Sequence, residues 1–211
     1  MVKAKSMQHW NGHQLCVIDT ETTGLDPSFH EIVQIAVAPL NANIEIREGI
    51  PSFYINMKPN YPERVSEEAL KVNGLTLAHI AQTGFDKETA KDLLIEWIQT
   101  LDLPYTKYGN QKKIMPLGQN YPFDMAFIKA WLGVELYNEL FDYHHRDTMS
   151  AALYLNDKAA CHANKVPYSK VNLTWLAHQL KVSHTRSHDA LQDCMVTAEV
   201  YRQLCYQGLL G

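Results

Sequence analysis

The sequence predicts an α/β fold with a mixed sheet, because its apolar pattern changes period along the chain. Short runs rich in β-branched residues lie between residues 15 and 57 with no helical stretch among them. Beyond residue 86 the apolar side chains recur at the helical spacing instead. Strands first, then a strand among helices, describes a sheet that begins as an antiparallel meander and is completed by crossovers.

The elements follow in order. Residues 1–14 carry two lysines with no apolar core behind them, so they read as a polar lead-in and not as a secretory signal. Residues 15–211 are expected to form one domain. Leu15-Cys-Val-Ile18 is a buried strand ending at Asp19, and Thr22-Thr-Gly24 with Asp26-Pro27 supplies turn chemistry. Ile32 to Val37 and Ser52 to Met57 read as two further strands. Ala90, Leu93, Leu94, Trp97, Ile98 and Leu101 form a helical stripe that Asp86 can cap. Met115-Pro-Leu-Gly118 reads as a weak fourth strand, because its proline disfavours strand structure. Phe123, Phe127, Ala130 and Trp131 mark a helix ended by Gly133, and Asn172 caps another through Leu173, Leu176, Ala177 and Leu180. A last helix runs from about Asp189 to Cys205, while 106–113 and 156–170 read as loops.

Composition excludes several classes. With 211 residues, 46% hydrophobic and 20% charged, the chain is neither disordered nor fibrous. No run approaches the roughly 18 apolar residues of a membrane span. Four widely spaced cysteines without a C-x-x-C suit free thiols of a reducing, cytoplasmic setting. The net charge of −4 rules out a global basic field for coating DNA. It does not rule out a nucleic-acid enzyme, because metal ions at a carboxylate site supply positive charge locally.

Three segments can carry chemistry. Asp19 and Glu21 are two apart at a strand end, so both project from one face. Two anions side by side repel, and a divalent cation on hard oxygen ligands relieves this; a solvated Asp-Thr-Glu loop is the other reading. Asp124 opens the helix after Gly118-Gln-Asn-Tyr-Pro-Phe123, where a carboxylate also serves the helix dipole. In Ser187-His188-Asp-Ala-Leu-Gln-Asp193 the histidine can accept a proton near neutral pH and the carboxylate one turn on can hold a metal, although Asp189 as a plain cap also fits.

The order D-x-E, N-x-x-F-D and H-x-A-x-x-D resembles the DEDDh 3′→5′ exonucleases of the proofreading-exonuclease superfamily. Asp-Thr-Glu-Thr-Thr-Gly-Leu25, Glu31-Ile-Val-Gln-Ile35, Val72-Asn-Gly-Leu75, Arg146-Asp-Thr148 and Asn172-Leu-Thr-Trp-Leu176 extend the likeness from about Leu15 to Cys205. The fold it implies is ribonuclease-H-like α/β, a mixed five-stranded sheet flanked by helices. By the same resemblance Asp19, Glu21, Asp124 and Asp193 match the metal-binding carboxylates and His188 the general base. Thr22, Thr23 and Leu25 match the loop on the terminal nucleotide, with Asn73, Asn120 and Phe123 beside its sugar and base. Asn73-Gly74 replaces a frequent histidine-glycine, and Gln119 stands where histidine is common.

The implied activity is hydrolysis of single-stranded DNA to 5′-mononucleotides, as in proofreading or repair, with two Mg²⁺ ions or Mn²⁺ in their place. Trimming of RNA or oligoribonucleotides is the second reading, and a binding module without turnover a remote third. A polymerase is a possible partner, and a membrane is not. His144-His145 beside Asp142 and Asp147 reads as a solvated pair, Cys161-His162 lacks zinc-site partners, and Trp97, Trp131 and Trp175 read as core. Lys112, Lys113, Lys181 and Arg186 are equally phosphate contacts or solvated surface.

Overall fold

The computed structural model describes residues 12–184 and 189–209. Its sheet is five-stranded and mixed, as the sequence predicts, in the order β3-β2-β1-β4-β5. The strands are β1 (Gln14–Thr22), β2 (Ile32–Pro39), β3 (Phe53–Asn56), β4 (Ile114–Gly118) and β5 (Arg146–Asp147). The first three run antiparallel as a meander, while β4 lies parallel to β1 and β5 parallel to β4. Helices fill the rest: α1 (Glu67–Asn73), α2 (Leu77–Thr83), α3 (Lys87–Gln99), α4 (Pro122–Leu132), α5 (Val134–Leu140), α6 (Thr148–Cys161), α7 (Leu173–Gln179) and α8 (Ala190–Leu209). No described helix is long and apolar enough to cross a membrane.

Alternation along β1 divides the core in two. Cys16 and Ile18 face the layer of α3, α4 and α5, packing with Leu94, Ile98, Phe127 and Tyr137. Leu15 and Val17 face α8, where Ala190, Cys194 and Ala198 recur every fourth residue against the sheet. The opposite stripe of α8, Val196, Val200 and Leu204, packs on Leu176 and Ala177 of α7 and Ala152 of α6. Both faces of the sheet are therefore covered, which explains why β1 and β2 read as continuous apolar runs.

Local chemistry sets the helix ends. Asp86 accepts from the Thr89 N–H at 2.9 Å and Asn172 from the Trp175 N–H at 2.9 Å, as their positions predict. Pro122 opens α4, where its missing N–H costs nothing, and Gly74 ends α1 with φ of +66°.

Four details differ from the sequence reading. Strand β1 continues past Asp19 to Thr22, because β2 pairs with it as far as Ile32. Pro116 sits inside β4, but the outer ladder to β5 pairs only Leu117 and Gly118, so the proline faces a gap in that ladder. Helix α6 carries into the expected 156–170 loop as far as Cys161. The histidine pair is solvated only in part: the His144 side chain stays 37% exposed with Nδ1 2.8 Å from Asp142 Oδ1, whereas the His145 ring packs on Tyr121 with Nδ1 buried. Helices α1, α2 and α5 each bury one side chain (Asn73, Ile80 and Tyr137), too few to make a periodic pattern.

Asp147 joins the sheet edge to two helices. One oxygen caps α6 through the Ser150 N–H at 3.0 Å, and the other accepts from the buried Tyr121 N–H at 2.6 Å, just before α4. Asp147→Ala removes the cap, worth about 0.5–2 kcal/mol, and strands a buried donor, worth about 1–3 kcal/mol. The expected outcome in urea unfolding is a loss of about 2–4 kcal/mol with an unchanged m-value.

Candidate active site

The ends of β1 and β4 meet the starts of α4 and α8, and the acidic residues gather there. Asp19 and Glu21 have the parity of Leu15 and Val17, so they face α8. Its first turn supplies Asp193, and one carboxylate oxygen from each of the three lies within 4.8 Å of the others. Thr20 has the opposite parity and faces α4. Its backbone N–H and its hydroxyl both donate to Asp124 Oδ1, at 2.9 and 2.7 Å. Asp124 lies on the other side of the strand and is not one of the three whose oxygens converge, but its charge is felt by Asp19 and Glu21.

Among the described residues no lysine or arginine pairs with Asp19 or Glu21. Burial, and then the charges of Asp124, Glu21, Asp193 and Asp189, holds the Asp19 carboxyl well above the usual range. Burial, and then Asp193, Asp124 and Asp189, pushes Glu21 up to about 8. Burial also raises Asp124 to about 7, although the two Thr20 hydrogen bonds favour its anion. An all-oxygen donor set of clustered carboxylates suits a hard divalent cation, so the residues fit a Mg²⁺ or Mn²⁺ site.

A cavity of about 500 Å³ opens beside these carboxylates, and Glu21 is part of its wall. Thr22, Leu25, Asn73 and Phe123 line it. Leu25 is 82% exposed, an apolar side chain presented to solvent at the mouth. Asn73 is buried: its amide donates to the Thr22 carbonyl at 3.4 Å, so it ties the end of α1 to the end of β1. The wall also uses His30, whose ring packs on Gly24 so closely that a Cβ there would sit 2.3 Å from it. Thr23 and Asn120 do not line the cavity. Thr23 turns inward and accepts from the Glu31 N–H at 2.9 Å, which closes the β1–β2 loop. Asn120 is exposed with φ of +57°, shaping the turn into α4.

His188 lies outside the described residues, as do Arg186 and Ser187. The start of α8 after them is anchored twice. Tyr54 donates its hydroxyl to Asp189 Oδ2 at 2.8 Å, and Gln34 Oε1 accepts from the Ala190 N–H at 2.9 Å. Lys113 lies at the opposite end of β4 from the site, donating to the Asn138 carbonyl. Sequence reading missed Thr20, His30 and His184, whose Nε2 lies 2.7 Å from Asp193 Oδ1. Only Thr20 left a trace, as the hydroxyl between the two carboxylates of the D-T-E segment.

This fold and acidic constellation define a DEDD-type exonuclease. The chain belongs to the RNase T exonuclease family, whose model matches residues 16–201. The family is metal-dependent, in keeping with the acidic cluster. The chain is similar to the DNA polymerase III epsilon subunit of Rickettsia felis, at 30% identity over 89% of this chain and 72% of that protein. The epsilon subunit of Pasteurella multocida is 27% identical over 88% of this chain and 65% of its own length. Two solved structures share the fold. Cell-death related nuclease 4 has a TM-score of 0.70 at 17% identity, covering 92% of this chain. E. coli exonuclease I with a dT13 oligonucleotide has 0.68 at 17% identity, covering 94%. The chain spans 64% of the first and 42% of the second.

Crowded anions give a testable pH dependence. Glu21 ionises near 4.5 when unfolded and near 8 when folded, so across that window the folded state keeps a proton the unfolded chain has lost. Stability of the metal-free protein should therefore fall as pH rises through this window. Glu21→Gln should flatten that fall, and Mg²⁺ should raise the wild-type melting temperature most at the upper end. Scanning calorimetry across the window checks both; parallel pH profiles for wild type and variant would refute the assignment.

Proposed function

We propose that the protein is a 3′→5′ exonuclease that degrades single-stranded DNA from a free 3′ end to 5′-mononucleotides. The observation that carries this is the Asp19, Glu21 and Asp193 group, opening directly onto the Leu25-lined cavity. In this reading the carboxylates of Asp19, Glu21, Asp124 and Asp193 hold two Mg²⁺ ions, with Mn²⁺ as a substitute. Such a pair, when bound, acidifies the attacking water and stabilises the leaving 3′-oxygen.

The chain's own residues do the rest. Thr22, Leu25, Asn73 and Phe123 seat one unstacked terminal nucleotide, with Thr23 and Asn120 shaping the loops that flank it. His188, five residues before Asp193, takes the proton of the attacking water, which places the protein in the histidine branch of the family. DNA is favoured because the sequence relatives are polymerase III epsilon subunits and a structural neighbour holds a dT13 oligonucleotide. The same relatives support a replicative polymerase as partner. The free thiols of Cys16, Cys161, Cys194 and Cys205 fit work in the cytoplasm.

Matched, labelled single-stranded DNA and RNA with Mg²⁺ test this directly. DNA should be shortened from its 3′ end, a 3′-phosphate should block it, and excess chelator should abolish it. Asp19→Ala should remove activity, and His188→Ala should lower turnover ~10²–10⁴-fold. Faster cleavage of RNA would favour the RNA-trimming reading. Cleavage of circular single strands, or full activity in chelator, would overturn the mechanism.

A further inference from the structure

The four carboxylates are not held alike. Asp19 and Glu21 are placed by β1, whose backbone is bonded to a neighbouring strand. Asp124 and Asp193 come from helix first turns and need a separate grip. For Asp124 the grip is Thr20, with two hydrogen bonds to one oxygen. For Asp193 the matching contact is His184 Nε2 at 2.7 Å from Oδ1, with side-chain exposures of only 7% and 10%.

We infer that His184 is a positioning residue for Asp193, holding that carboxylate at the spacing from Asp19 and Glu21 that a metal ion requires. The inference rests on the reading of these carboxylates as the metal site. A carboxylate only accepts, so Nε2 carries the hydrogen. The other ring nitrogen, Nδ1, is buried with no partner among the described residues. An apolar side chain would fill the same space without stranding a nitrogen, so the Nε2 contact is the reason for an imidazole here.

The chain is routed to make this contact. After α7 the backbone reverses at Lys181, with φ of +57°, and the Val182 N–H bonds the Ala177 carbonyl at 2.8 Å. Val182 packs into the cluster shared by α7 and α8, and two residues later His184 reaches Asp193. The contact opposes the repulsion that Asp19 and Glu21 exert on Asp193. Hydrogen bonds to metal ligands from groups behind them typically change affinity by ~10–100-fold.

The test is a calorimetric titration with Mn²⁺ of the intact wild type, His184→Ala, His184→Gln and Asp19→Asn. His184→Ala should weaken Mn²⁺ binding ~10–100-fold. His184→Gln, whose amide N–H can reach the same oxygen, should recover most of the loss. In parallel assays the activating Mn²⁺ concentration should rise while kcat at saturating metal returns towards wild type. Binding by His184→Ala as tight as wild type, or tighter, would overturn the inference. A loss that glutamine does not recover would mark the ring as packing alone and overturn it too. If Asp19→Asn binds Mn²⁺ like wild type, the carboxylate reading itself fails and takes this inference with it.

Discussion

Strand β1 is paired on both edges and covered on both faces, and the rest of the molecule is arranged around that position. A strand so placed sends alternate side chains into two different layers. Its apolar half builds both cores, with Cys16 and Ile18 on one side and Leu15 and Val17 on the other. Its polar end carries the same alternation into the site. Asp19 and Glu21 are delivered to α8 and Thr20 to α4. One strand thereby recruits carboxylates from two helices that approach from opposite sides.

Burying these carboxylates is unfavourable, and for Asp19 and Glu21 the charge of neighbouring carboxylates adds to it; the raised pKa values of Asp19, Glu21 and Asp124 express that cost. Among the described residues, hydrogen bonds from neighbouring elements hold the arrangement. Hydrogen bonds from Thr20 fix Asp124, while Tyr54 and Gln34 pin the start of α8 to β3 and β2. None of these contacts supplies a formal positive charge. The site is acidic, in keeping with the metal dependence of the family.

The cavity beside the carboxylates is built on a different principle. Its loop is closed from within by Thr23, which does not line the cavity, while Asn73, part of the wall, ties α1 to the end of β1. Leu25 is left exposed at the mouth, where an apolar side chain suits the flat face of a base. The His30 ring closes one wall against Gly24, at a contact that any larger residue would break.

Much of this was legible in the sequence because it depends on local period and order. The strand runs, the Asp86 and Asn172 caps and the same-face relation of Asp19 and Glu21 follow from spacing alone. So does the sequence order of the acidic motifs, which carried the resemblance to exonucleases. Short helices such as α1 and α2 escaped because one buried residue makes no period. Which residues line the cavity was decided by the fold: Thr22 and Thr23 are neighbours of the same type, yet only one faces it. The contacts from Thr20 to Asp124, Tyr54 to Asp189 and His184 to Asp193 also belong to tertiary structure. The first two span 104 and 135 residues, and even the nine-residue separation of the third has no periodic signature. Spacing along a chain specifies the face on which a side chain emerges, but only packing of whole elements determines what stands opposite it.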